Sequence, residues 1–189
     1  MSYRSLMPPT RLAYMGEPGA FGEAACLLAD PAAVPTPFPT AQAAVDAVRA
    51  GACAAVVLPV HNSVAGPVHA ITAMLPASGL DTVAHIDVPI TMALLAAPGT
   101  TLRQIRTVTS HPIALAQCSR LIARLGLASE PALTTTAAAA ALARAPALDR
   151  AVLAAPRAAA HYGLLILASD IGDDPRAMTR FAVLQRPPT

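Results

Sequence analysis

Residues 11–29 read RLAYMGEPGAFGEAACLLA. Arg11 to Met15 has the short apolar pattern of a strand, Gly16-Glu17-Pro18-Gly19 carries turn chemistry, and the alanine-rich run Phe21 to Ala29 predicts a helix. Strand, glycine-bearing turn and helix form the repeating unit of α/β proteins. The unit recurs downstream. Thr40 is a fair N-cap for a helix through Ala50, with Ala43, Ala44, Ala47 and Val48 on its apolar face. Ala54 to Leu58 is a fully apolar strand that Pro59 is expected to close; a loop from His61 to Gly66 then leads to a helix over Val68 to Leu75. Strands are predicted at 82–86, 90–96 and 107–109. Next comes one helix from Ile113 to Leu125, entered through Ser110-His111-Pro112 with proline in its first turn. Thr136 to Arg144 is nearly all alanine, the best helix former. Strands at Ala151 to Ala154 and Leu165 to Ala168 flank a helix around Arg157 to Tyr162, and Phe181 to Leu184 is the last strand. The sequence divides into one lobe of about 11–85 plus 169–189 and a second of about 86–168.

The 189 residues are enough to bury a substantial core. They are 54% hydrophobic with mean hydropathy +0.51, but much of that is alanine. No run approaches the roughly 18 apolar residues of a membrane span, and MSYRSLMPPTRLAYMG lacks the continuous apolar stretch of a secretory signal. A soluble, cytoplasmic protein without a membrane partner is the expectation. A net charge of +2 with no arginine-rich tract argues against a duplex-binding surface. Three phenylalanines and three tyrosines leave little for stacking single-stranded bases. No nucleic-acid partner is therefore expected. The 13 basic residues are all arginine, which removes Schiff-base catalysis and a phosphate-binding P-loop lysine. Cys26, Cys53 and Cys118 are odd in number and widely spaced, as small buried hydrophobes rather than metal ligands. The five histidines never fall at the i, i+4 spacing of a helical metal pair, and no metal is expected.

Polar clusters follow the ends of apolar strands, where open α/β sheets place ligand sites. His61-Asn62-Ser63 is the first. Ser110-His111 with Gln117 two turns further on is the second, Thr134-Thr135-Thr136 the third, and Met178-Thr179-Arg180-Phe181 the fourth. Singly, each has a plain structural reading: a threonine before a helix usually caps it, and an arginine opening a strand usually lies at the surface.

Together they carry a resemblance. GEPGAFGEAA (16–25), LPVHNSVAGPVH (58–69), SHPIALAQC (110–118), TTTAAAAALA (134–143) and HYGLLILASDIGDDPRAMTRF (161–181) resemble the catalytic domain of the prephenate dehydratase family. They stand in that family's order and spacing, across about Leu12 to Leu184. The resemblance implies a two-lobed, periplasmic-binding-protein-like (type II) α/β fold with its active site in the interlobe cleft. It also implies prephenate as substrate, phenylpyruvate as product, no cofactor, and a homo-oligomer, expected to be a dimer. The family's Thr-Arg-Phe motif falls on Thr179, Arg180 and Phe181, its Asn-Ser pair on Asn62 and Ser63, and its Ser-His-Pro serine and glutamine on Ser110 and Gln117. The threonine before its alanine run falls on Thr136.

Prephenate must lose CO₂ and a poor leaving group, hydroxide, together. Some donor has to meet the departing oxygen, and the family gives that work to the threonine, here Thr179. Arg180 offers a planar fork for the carboxylate of the pyruvyl chain, Phe181 would wall the ring, and Asn62, Ser63, Ser110, Gln117 and Thr136 complete the binding set. Departures cluster as well. The usual glutamate before Asn-Ser is His61, the usual glutamine after Ser-His-Pro is Ile113, and a frequent histidine of the central strand is Met92. The asparagine two before Thr-Arg-Phe is Ala177, and a serine of the first glycine-rich loop is Gly22. His61 either donates a proton or binds a carboxylate near neutral pH, or only hydrogen-bonds within its loop. With 189 residues, no regulatory domain is expected after the catalytic one. Three other readings stay open: a relative acting on arogenate, a decarboxylase that keeps the hydroxyl, and a non-catalytic ligand-binding protein of the same fold.

Overall fold

A computed structural model describes residues 9–188. In chain order the elements are β1 (Arg11–Met15), α1 (Phe21–Ala29), β2 (Val34–Phe38), α2 (Ala41–Arg49), β3 (Ala55–Asn62), β4 (Gly66–Pro67), α3 (His69–Met74) and a 3-10 turn (Leu75–Ala77). They continue through β5 (Asp81–Pro89), β6 (Ala93–Ala96), β7 (Thr107–Ser110), α4 (Pro112–Gln117), α5 (Ser119–Leu125) and β8 (Ala128–Pro131). The last are α6 (Thr135–Arg144), β9 (Arg150–Ala154), α7 (Arg157–Tyr162), β10 (Leu165–Ala168) and β11 (Met178–Gln185).

Two sheets result, one per lobe. The first runs β2-β1-β3-β11-β5, with β4 paired to the far end of β3, and the second runs β10-β6-β9-β7-β8. In the first sheet β1, β2 and β3 are parallel, while β11 enters antiparallel between β3 and β5. Inserting the last strand beside the third is the strand order of the type II periplasmic-binding-protein-like fold, as the resemblance implied. The chain crosses between lobes twice, after β5 and after β10. The two crossings run side by side, with Ile90 N donating to Ala177 O at 2.8 Å and Ile171 N to Met92 O at 3.1 Å.

Alternation along the strands sorts the first lobe's core into two faces. Leu12, Tyr14, Ala55, Val57 and Phe181 pack with α1, whereas Ala13, Val56, Leu58, Ala182 and Leu184 pack with α2. Small buried residues on α1, Gly22, Ala25 and Cys26, let that helix sit close to the sheet. A Cβ on Gly22 would lie 3.0 Å from the Tyr14 ring, so the serine of the family pattern would crowd this contact. Thr40 caps α2 by accepting from Ala43 N at 3.1 Å. The helix buries Ala41, Ala44, Val45 and Val48, a face rotated from the one expected.

Two local expectations are corrected. Pro59 does not end its strand. Opposite it, Phe181 pairs with Pro59 but Arg180 with His61, so Val60 is an extra residue bulged out of β3. A bulge is where a sheet interior tolerates a residue without an N–H. The helix expected over 113–125 is two helices broken at Cys118. Asp173 is inserted there: its N–H donates to Gln117 O at 2.6 Å, and its carboxylate accepts from Ser119 Oγ at 2.7 Å and Arg120 N at 3.2 Å. Val34–Phe38 (VPTPF), to which the sequence pattern assigned no element, is a strand despite its two prolines; it lies at the sheet edge, paired only with β1.

The described residues include no helix long and apolar enough to cross a membrane. All three cysteines are free and buried, and burial pushes the thiols of Cys26 and Cys118 up to about 12.

Candidate active site

The strand ends of both lobes converge on one cleft. Thr179, near the start of β11, pairs with Asn62 on β3 and Val88 on β5. Asn62 Nδ2 donates to Thr179 Oγ1 at 2.9 Å. The amide's orientation is dictated by its other end: Oδ1 accepts from Val64 N at 2.9 Å and Ala65 N at 2.8 Å. From the second lobe, Gln117 Nε2 reaches the same oxygen at 3.4 Å. Because the Thr179 oxygen accepts from an amide, its own O–H remains available to donate. Ser63 secures this arrangement from the side. Its N–H donates to Met178 O at 2.9 Å, and its hydroxyl accepts from Met178 N at 3.0 Å, tying the loop to the residue before Thr179.

Two cavities adjoin here. Thr179 and Asn62 line one of about 400 Å³ together with Pro59, Val68, His69 and Ile113. The other, of about 430 Å³, shares Ala65 and Ile113 with it. Its wall is Ile90, Met92, Ala116 and Ala177, and Gln117, Arg120, Asp173 and Asp174 form its polar sector. Met92, Ile113 and Ala177 are three of the departures noted in the sequence, and all three meet in this cavity. Where the family pattern places polar side chains, this chain has an apolar wall.

The prephenate dehydratase family profile matches residues 12–189. The chain belongs to the prephenate dehydratase family. It is 41% identical over 180 residues to arogenate dehydratase 1 of Petunia hybrida, covering 94% of this chain and 42% of that protein. It is 37% identical to the chloroplastic arogenate dehydratase/prephenate dehydratase 1 of Arabidopsis thaliana, with 94% and 45% covered. The chain thus spans less than half the length of these curated relatives. Among solved structures, prephenate dehydratase from Arthrobacter aurescens in complex with L-Phe superposes with a TM-score of 0.87 at 34% identity, over 95% of this chain and 61% of that one. The quorum-quenching acylase GqqA superposes with a TM-score of 0.88 at 33% identity, over 95% and 65%.

Not every residue that the family pattern nominates reaches Thr179. Neighbours on a strand point to opposite faces, so Thr179 shares the α1 side with Phe181 while Arg180 faces away. The fork of Arg180 is closed on Asp87, Nε to Oδ1 and Nη2 to Oδ2, both at 2.8 Å, with both side chains about half exposed. Hydrogen bonding from Arg180 holds the Asp87 carboxyl below the usual carboxylate range. His61 stands opposite Arg180 in register, hence on that same face; it is exposed and lines neither cavity. Strand alternation therefore places the Arg180 and His61 side chains on the face opposite Thr179. Arg180→Lys keeps the charge and loses the fork. It is expected to leave KM within about twofold, and a tenfold rise in steady-state KM would return Arg180 to the ligand. Phe181 is a core residue between β5 and α1, and neither cavity includes it.

Ser110 is likewise internal. It is fully buried and donates to Leu153 O at 2.6 Å, joining β7 to β9. Ser110→Ala would leave that carbonyl short of a partner and should cost about 1–3 kcal/mol. The expected readout is a melting temperature several degrees lower, with kcat per folded molecule unchanged.

Thr136 does face the cleft, but it is engaged. It donates to Glu17 Oε2 at 2.6 Å, and Thr134 donates to the same oxygen at 3.0 Å. Glu17 comes from the loop after β1 in the other lobe, so this contact spans the cleft. A second spanning contact lies nearby. Glu23 Oε1 is 3.1 Å from His161 Nε2, and Glu23 Oε2 accepts from Gly19 N at 2.6 Å. The sequence reading passed over Glu17, Glu23 and Arg120. Glu17 and Glu23 lie within the quoted GEPGAFGEAA run, and Arg120 stands three residues beyond Gln117, across the helix break at Cys118.

Proposed function

We propose that this chain carries out the decarboxylating dehydration of a prephenate-class substrate, prephenate or its amino counterpart arogenate, in phenylalanine biosynthesis. The observation that carries this reading is the Thr179 hydroxyl, which accepts from Asn62 and so presents its O–H to the cleft. In the reaction the C–C bond to the ring carboxylate breaks and releases CO₂. Its electron pair enters the ring, the C–O bond opposite breaks, and the departing hydroxide leaves as water once protonated. A threonine is too weak an acid to supply that proton unaided. Donation from Asn62 polarises its O–H, and aromatisation provides the driving force.

The ring fits the apolar wall of Ile90, Met92, Ile113 and Ala177, beside the cavity that Thr179 lines. Apolar surroundings suit the ring carboxylate, whose charge disappears as CO₂ leaves. A cation gripping that group would oppose the step. Acyl transfer, the activity in the name of GqqA, would need an activated nucleophile if serine or cysteine carried it. Ser110 is committed to Leu153 O, the buried thiols of Cys26 and Cys118 are raised, and among the described residues no histidine is hydrogen-bonded to a serine, Ser63 included, so dehydration is the better supported reading.

The test is to incubate the purified chain with each substrate. Phenylpyruvate from prephenate or phenylalanine from arogenate, in equal amount with CO₂, is the expected result. CO₂ without an aromatic product would favour a decarboxylase that keeps the hydroxyl. No CO₂ from either compound would remove the reading.

A further inference from the structure

The 430 Å³ cavity is apolar on one side only. Its polar sector holds a cation and carboxylates together: Arg120, Asp173 and Asp174. Their engagements differ. Asp173 is spent inside the fold, accepting from Ser119 Oγ and Arg120 N at the break between α4 and α5. Asp174 accepts from Arg176 N through Oδ1 at 2.8 Å. Its ion contact with Arg176 is loose, 3.9 Å to a side chain that is 92% exposed. Among the described residues, Oδ2 of Asp174 has no hydrogen-bond partner, and no carboxylate lies within salt-bridge distance of the Arg120 guanidinium. The cavity thus carries one available cation and one available anion beside an apolar wall, and Gln117 links it through Asn62 to Thr179.

We propose that Arg120 and Asp174 recognise the two charges of an α-amino acid head group, so that the preferred substrate is the one with an alanyl side chain, arogenate, over the pyruvyl-bearing prephenate. The inference rests on the dehydratase reading and adds the identity of the side chain. Both compounds carry the side-chain carboxylate, which Arg120 takes in either case. Only arogenate adds an ammonium. A keto group in its place offers acceptors alone, and Asp174, an acceptor, cannot pair with them. The hydroxyl lies across the ring from this side chain. A substrate gripped at Arg120 and Asp174 therefore directs its leaving group away from them, toward the Thr179 end of the cleft.

Asp174→Asn and Arg120→Gln separate the two roles. The backbone N–H groups that involve these residues keep their partners in both variants. In the wild-type chain kcat/KM should favour arogenate. Asp174→Asn should lower kcat/KM for arogenate about tenfold or more and leave that for prephenate unchanged or higher, collapsing the ratio. Arg120→Gln should raise KM for both substrates alike with little change in kcat. A wild-type preference for prephenate, or an Asp174→Asn loss equal for both substrates, would overturn the proposal, since a merely structural aspartate cannot move the ratio. So would unchanged KM values in Arg120→Gln. If the wild-type chain turns over neither compound, the dehydratase reading fails first. Calorimetry with L-phenylalanine and phenylpyruvate, which differ by the same ammonium-for-keto exchange, then decides the head-group proposal alone. Tighter binding of the amino acid that Asp174→Asn abolishes sustains it, and equal or absent binding ends it.

Discussion

Thr179→Ala is expected to lower kcat by about 10²-fold or more, the range that a positioned proton or hydrogen-bond donor supplies. The substitution removes the O–H presented to the cleft and leaves Asn62 Nδ2 without its acceptor, so some loss of stability should accompany it. Thr179→Ser separates the two effects. It restores a hydroxyl at the same position and should recover most of kcat. His61→Gln is the contrasting variant. A histidine acid would make kcat fall as pH rises through neutrality, whereas a threonine hydroxyl barely titrates there. With His61 on the face opposite Thr179 and outside both cavities, the pH profile of kcat should be the same in His61→Gln as in the wild-type chain; the histidine that lines the Thr179 cavity is His69. The kcat of His61→Gln should stay within about threefold of the wild-type value. An inactive His61→Gln, together with a pH profile that disappears in the same variant, would hand the proton to His61.

The same pair of residues marks how far the sequence could be read. Local features were legible: the cap at Thr40, the strand before the first glycine turn and the alternation of strands with helices follow from short-range patterns, whereas the two-lobed fold was implied by the family resemblance. The face that each motif residue occupies did not follow. Thr179 and Arg180 are adjacent in the motif, and adjacency in sequence suggests one shared site, but a strand sends neighbours to opposite sides. For His61 and Asn62 the register depends on the bulged Val60, and a one-residue insertion exchanges the faces of every residue beyond it. Contacts made at long range leave no trace in a local pattern. The helix break at Cys118 is produced by Asp173, and the hydroxyl of Thr136 is engaged by Glu17 from the other lobe. The departures at Met92, Ile113 and Ala177 stand far apart along the chain. They share one wall because the crossings between lobes bring 90–92 beside 171–177.

Gly19→Ala is expected to damage both stability and turnover, because this residue lies where the lobes touch. Gly19 has φ +89°, a conformation that side chains with a Cβ rarely adopt. A Cβ built there would lie 2.8 Å from Ala158 Cα and 3.3 Å from Ala158 N. Those are backbone atoms of α7, held in place by the second sheet's core, and they cannot swing aside like the end of a long side chain. The strain and the overlap together should cost about 2–4 kcal/mol unless the loop retreats. A retreating loop withdraws Gly19 N from Glu23 and takes Glu17 away from Thr134 and Thr136, the contacts that span the cleft. Residues that must meet across the lobes, Gln117 with Asn62 and hence Thr179, would then be misplaced. Misplacement by about 1 Å is enough to cost roughly 10²-fold in rate. Gly126→Ala is the control. Gly126 also has positive φ, +61°, but nothing lies within 4 Å of its added Cβ, and it ends α5 away from the cleft. It should lose about 1 kcal/mol from backbone strain alone and keep its kcat. Equal kcat losses in the two variants, at matched folded fraction, would mean that close approach of the lobes at Gly19 has no part in catalysis.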